Sequence, residues 1–216
     1  LPYQRKKEDP PQKHRQYLVN SVNFIADSEM TPIRKGSFTG FDSLSYKGYN
    51  MYYKDKMFLR PKLLVDFNRI RPGEFYSERD VQNTYSALGR LRMLKYSNIR
   101  FKEVNVSDST KLDAYIVMSK GQNKSVSFEI EGTNSAGDLG AAASISFQHR
   151  NVFKGSETFT MKVRGAYEAI TGLGQDYVND NYTEYGVESS LNFPEFMFPF
   201  LSSDFKRKIK ATSEVG

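Results

Sequence analysis

Four segments in the second half of the chain alternate apolar and polar residues with a period of two. Val126, Phe128 and Ile130 stand opposite Ser127, Glu129 and Glu131; Ala143, Ile145 and Phe147 opposite Ser144, Ser146 and Gln148. Phe159, Met161 and Val163 alternate with Thr160, Lys162 and Arg164, and Tyr185, Val187, Leu191 and Phe193 with Gly186, Glu188, Ser190 and Asn192. Successive side chains of a strand point to opposite faces, so each segment predicts a strand with one apolar face. No helical pattern intervenes, which predicts an antiparallel meander. A fifth segment, Lys208–Val215, begins the same alternation. Asn151–Gly155 is a short connection, whereas Thr171–Thr183 is long, polar and rich in Gly, Asp and Asn.

The first half follows a different plan. Tyr17–Ile25 is a run of β-forming residues in which Val22 and Phe24 alternate with Ser21 and Asn23, predicting one buried face. The stretch to about Lys47, with Pro32, Gly36, Gly40 and Gly48 in or beside it, predicts a long loop, and Tyr49–Tyr53 a short extra strand. A helix is expected from Arg60, because Pro61 fits a first-turn position whose N–H has no intrahelical partner. Leu63, Leu64 and Phe67 form its apolar face, and Arg71-Pro72-Gly73 lies past its end. Ser77 and Asp80 have the spacing of a capping box for a second helix, with Val81, Tyr85, Leu88 and Leu91 as its stripe and Gly89 inside it. Strands at Asn98–Asn105 and Lys111–Met118 follow, joined by a turn over Val104–Thr110. The order strand, helix, helix, strand, strand predicts an α+β unit with both helices on one face of a small sheet.

Alternation alone does not separate a soluble sandwich from a membrane barrel. In the first the apolar face meets a second sheet; in the second it meets lipid while the polar face lines the lumen. Short turns on one side and long loops on the other favour the barrel. The mean hydropathy of -0.60 and the 38% hydrophobic content are compatible with a barrel but not with a helical membrane protein. Phe193–Leu201, the longest greasy run, is broken by Pro194, Glu195 and Pro199. The absence of cysteine removes disulfides, thiol catalysis and thiolate metal sites. The net charge of +6 owes much to Arg5, Lys6, Lys7, Lys13 and Arg15, set among Pro2, Pro10 and Pro11 as in an extended linker. No basic stripe with interleaved aromatics appears, so nucleic acid is not an expected partner.

Candidate chemistry is sparse, and no cofactor or metal is expected. His14 falls in the polar linker and His149 at a strand end, neither with partners at triad or metal spacing. Glu129 and Glu131 share a face as i and i+2 of one strand, and with Lys162, Arg164 and Glu188 they predict a charge-balanced lumen. Gly172-Leu173-Gly174 lacks the strand-to-helix setting of a dinucleotide loop, and Asn181-Tyr182-Thr183 matches a glycosylation acceptor by chance. Phe193–Phe200 is expected to be an aromatic interfacial turn.

The run Arg71-Pro-Gly-Glu-Phe-Tyr-Ser77, with Asp80-Val81, Leu88, Leu91 and Ile99-Arg-Phe101, resembles the helix-to-strand core of a POTRA (polypeptide-transport-associated) domain. Ser127–Glu131, Gly140–Ile145, Asn151-Val-Phe-Lys-Gly155 and Met161–Gly165 resemble the opening strands of the bacterial surface antigen superfamily, the BamA/TamA type of outer-membrane assembly protein. The excursion at 27–58 is longer than the usual connection in such a domain, and the family's late Arg-Gly-Phe loop would lie beyond Gly216.

The resemblance implies a linker at 1–16, a POTRA domain at 17–121 and the first part of a transmembrane β-barrel at 122–216. It further implies a non-enzymatic factor of the Gram-negative outer membrane with its POTRA domain in the periplasm. Its partners would be unfolded outer-membrane protein chains, outer-membrane lipid and accessory assembly proteins. Substrate strands would add at Ile99, Arg100, Phe101, Lys102 and Glu103. Ser125, Val126, Ser127, Phe128, Glu129, Ile130 and Glu131 would form the barrel's first-strand edge. The alternatives are a dedicated two-partner-type secretion transporter, a soluble periplasmic binding module and an enzyme with a barrel anchor. The chain begins Leu1-Pro2 and is expected to be a piece of a longer protein. Four strands and part of a fifth fall short of the roughly eight of the smallest barrels, so this half is expected to be misassembled, oligomeric or poorly ordered alone.

Overall fold

The structure, a computed structural model, describes residues 16–26, 38, 40–106, 109–135, 138–170, 180–195 and 213–216. The basic linker, most of the Thr171–Thr183 connection and most of the Phe193–Phe200 segment lie outside them. So does Lys208–Val215 apart from its last three residues, Ser213–Val215.

Strand β1 (Leu18–Ala26) is the middle of a mixed sheet with order β2-β3-β1-β5-β4. β2 is Asp42–Tyr46, β3 Tyr49–Tyr53, β4 Leu94–Val106 and β5 Ser109–Lys120. β1 runs parallel to β3 and β5, and β4 is antiparallel to β5. The strand, helix, helix, strand, strand order is present, with one addition. The 27–58 excursion is not simply a loop: it returns as a hairpin whose strand β3 extends the sheet beside β1. Asp42–Tyr46 escaped prediction because Asp-Ser-Leu-Ser is a poor β sequence with almost no buried position. Its usable signal was Lys47-Gly48, whose positive φ angles of 50° and 81° are those of a two-residue primed turn.

Because β1 is central, Asn23 and Ile25 are buried as well as Val22 and Phe24, correcting the expectation of a single buried face. The Asn23 amide is accommodated by donating to the Ala114 carbonyl (3.2 Å) and Ser21 Oγ (2.8 Å), while Asn50 donates to its oxygen (3.0 Å). On that same face Phe38 stacks on Tyr52 at 4.0 Å. Burial, helped by neighbouring Asp113, raises the Tyr115 phenol above its ordinary pKa.

Two helices cover the other face. α1 (Pro61–Phe67) starts at the proline as expected and buries Leu63, Leu64, Val65 and Phe67. α2 (Glu78–Leu88) has Ser77 as N-cap, accepting from the Asp80 N–H; the reciprocal bond of a full capping box is not made. Gly89 is the C-cap, so Leu91 packs into the core from beyond the helix. Val22, Phe24, Met51, Leu64, Leu88, Ile116 and Met118 lie at the centre of this core.

A second sheet has order β10-β9-β8-β7-β6, every neighbour antiparallel: β6 (Lys124–Ser135), β7 (Asp138–Arg150), β8 (Thr158–Ile170), β9 (Asp180–Phe193) and β10 (Ser213–Val215). All four long strands exceed their predicted cores. Likewise β4 and β5 run through most of the expected Val104–Thr110 turn. Among the described residues the register is continuous from β6 to β9, so the strands form an ordered but open sheet. Each hairpin completes its own ladder, so ring closure is not required for local order; openness instead leaves two edge strands and an uncovered face. Among the described residues the sheet does not close on itself.

Met51 places the excursion in the core, whereas Leu44 on β2 is exposed. Met51→Ala should therefore cost about 2–5 kcal/mol and Leu44→Ala under about 1 kcal/mol. Denaturant midpoints from circular dichroism of the full chain measure both.

Candidate functional site

The register of the second sheet lines up its apolar residues in rows. Phe128, Ile145, Val163 and Val187 are successive cross-strand partners, as are Val126, Phe147 and Met161 in the row beside them. On the other side of the first row come Ile130, Ala143, Gly165 and Tyr185, where the Tyr185 ring fills the space over Gly165. This face is open: Val126 and Phe128 are each 65% exposed and Tyr185 84%. Monomeric soluble proteins rarely leave so continuous an apolar patch uncovered.

The opposite face gathers the predicted charges. Lys162 Nζ lies 3.4 Å from Glu129 and Arg164 3.6 Å from Glu131, while Glu188 is the cross-strand neighbour of Lys162. Ser144 donates to Glu129 at 3.2 Å. Such exposed pairs contribute about 0–1 kcal/mol, so they mark the polarity of the face more than they stabilise it.

Both predicted strand-binding segments lie on edge strands. Among the described residues, Ser125–Glu131 falls within β6, which pairs only with β7, and Ile99–Glu103 within β4, which pairs only with β5. The two edges differ in one respect. On β4 the Ile99 N–H donates to the Tyr85 hydroxyl of α2 at 2.7 Å, and that hydroxyl lies 3.3 Å from the Ile99 carbonyl and 3.1 Å from Asn98 Oδ1. Phe101 packs edge-to-face on Tyr76 with 5.0 Å between ring centres.

The β7–β8 turn fastens the second sheet to the first. Asn151, Lys154 and Ser156 all have positive φ, between 59° and 69°. Such backbone persists in non-glycine residues only where surroundings over-determine it. Here Asn151 Nδ2 donates to the Phe58 carbonyl (2.7 Å), Ser156 Oγ accepts from the Met93 N–H (3.0 Å), and the Lys154 carbonyl accepts from the Arg60 N–H (2.8 Å). The Glu157 carboxylate closes the turn. It accepts from the Phe153 and Gly155 N–H groups at 3.1 and 2.9 Å and pairs with Arg60 at 2.7 Å. Its side chain is 2% exposed, that of Arg60 55%. A Cβ on Gly155 would collide with both members of the pair, which explains glycine there.

Two solved structures of outer-membrane proteins are distantly similar to this chain. BamA from Haemophilus ducreyi lacking POTRA domains 1–3 matches at 12% identity and a TM-score of 0.36, covering 71% of this chain and 37% of that one. CdiB from Acinetobacter baumannii matches at 8% identity and a TM-score of 0.40, covering 87% and 53% respectively. Both are outer-membrane β-barrel proteins of the superfamily that the sequence resemblance names, and this chain spans only about a third to a half of their length. At this identity and overlap the likeness carries no argument about mechanism. No family model and no curated protein matches the chain.

The joint was the part that sequence reasoning missed. The Asn151–Gly155 motif marked a turn, but nothing in the spacing paired Glu157 with Arg60 97 positions away. Glu157→Ala leaves the buried Gly155 N–H and the part-buried Phe153 N–H without an acceptor and should cost about 2–4 kcal/mol; Arg60→Ala, half-exposed, about 1 kcal/mol or less. Amide exchange should show Phe153 and Gly155 losing protection in the first variant and keeping most of it in the second. Among the described residues Thr158 Oγ1 is buried without a partner, so Thr158→Val should leave thermal stability unchanged or raise it.

Proposed function

We propose that the chain is part of an outer-membrane assembly or translocation factor. On this reading residues 17–121 are a POTRA domain, extended by the β2–β3 hairpin, and 122–216 the opening strands of a transmembrane barrel. The observation that carries it is the open sheet with one apolar and one charged face. Its four long strands have 12–14 residues. At about 3.3 Å per residue they span roughly 40–46 Å, which at a tilt of about 45° crosses a hydrocarbon core of about 30 Å.

The work is non-enzymatic, because strand addition forms hydrogen bonds and breaks no covalent bond. The POTRA domain stands in the periplasm and offers β4 to unfolded outer-membrane chains. Main-chain pairing there gives affinity with little demand on sequence. The β6 edge then templates the incoming strand, since every unpaired backbone group in lipid costs several kcal/mol. The apolar face favours this reading over a soluble module, which would need some other surface to cover Val126, Phe128 and Tyr185.

Photo-crosslinkers placed at Lys102 and at Ser127 should capture a nascent barrel substrate, with several-fold higher yield than one at Lys47 in the β2–β3 turn. Equal yields at all three positions would count against the reading.

A further inference from the structure

If β4 receives added strands, as the proposed function requires, the Tyr85 contact limits how much of that edge is available. In an antiparallel pair, residues alternate between those bonded to the partner strand and those whose N–H and C=O point away from it. Ile99 is paired with Ile116, yet both its backbone groups meet Tyr85. Ile99 is therefore of the outward kind, and the same parity makes Phe101, Glu103 and Asn105 outward too. Among the described residues, the backbone of those three has no partner beyond the β4–β5 ladder.

We propose that the Tyr85 hydroxyl is a register stop. It accepts the Ile99 N–H and sits against the Ile99 carbonyl, so an added strand pairs with Phe101, Glu103 and Asn105 and ends there. The side chains beside this stretch suit a barrel-type strand. Phe101 packs against the apolar core, whereas Arg100 and Lys102 are exposed on the face away from the helices, beside Tyr115 and Asp113. An incoming strand with one apolar face and one acidic face matches both surfaces. Strand β9 of this chain has that pattern, with Tyr185 and Val187 on one face and Glu184 and Glu188 on the other.

The test uses the full chain in detergent micelles, a synthetic peptide of residues 181–192 as probe, and residue-resolved amide exchange. In the native chain Ile99 should already exchange slowly without peptide. The peptide should then slow Phe101, Glu103 and Asn105 and leave Ile99 unchanged. Tyr85→Phe keeps the ring and removes the hydroxyl. In that variant Ile99 should exchange fast alone, become protected with peptide, and the peptide should bind roughly two- to tenfold tighter through its additional pairing. Peptide-free circular dichroism and melting of the variant, unchanged from native, confirm that folding is not the cause. Two results overturn the register stop while leaving strand addition intact: peptide pairing that displaces Tyr85 and runs through Ile99 in the native chain, or identical footprints and affinities in both chains. Protection nowhere along β4 in either chain overturns the underlying strand-addition reading as well.

Discussion

A backbone N–H or C=O without a partner costs several kcal/mol wherever water is excluded, and the two sheets meet that demand in opposite ways. The first protects its strands with pieces of its own chain. The start of β1 exchanges hydrogen bonds with Gly73, Glu74 and Tyr76, its later half gains β3 from the excursion, and Tyr85 takes the outward groups of Ile99. Among the described residues the second sheet has no such cover on β6. In water an open edge of that length invites aggregation. In a bilayer it is tolerable only when paired, and that requirement gives an edge the capacity to capture another strand.

The joint connects these two regimes. Glu157 is buried at the end of a turn in which three non-glycine residues hold left-handed backbone, and the groups that keep them there, the Phe58 carbonyl and the Arg60 and Met93 N–H groups, come from the segments flanking α1 and leading into β4. A carboxylate suits the position because one group satisfies two N–H donors and a guanidinium at once. The turn is thereby an anchoring point for the first sheet as well as a reversal between strands of the second.

Elements that rest on local chemistry were legible in the sequence: Pro61 at a helix start, Ser77 as an N-cap, the period-two runs from Val126 to Phe193 and the turn at Asn151. Both edge segments, which the family resemblance implied, lie on edge strands among the described residues. The features that escaped depended on partners elsewhere in the chain. β2 is stabilised by β3 rather than by its own residues, Ile25 is buried because β1 became central, and Glu157 meets an arginine 97 positions away. The hydroxyl of Tyr85 was legible only as part of an apolar stripe, since its polar end acts on a strand that comes after the helix.

Whether the row Phe128, Ile145, Val163 and Val187 meets lipid is the question on which the account turns. The chain has no tryptophan, so single Trp residues introduced at Ile145 and at neighbouring Ser146 report on the two faces without background. In vesicles containing lipids brominated along the acyl chain, fluorescence from Ile145→Trp should be strongly quenched and that from Ser146→Trp little affected. Equal quenching at both positions, or none at Ile145→Trp in a chain shown to be membrane-bound, would contradict the account.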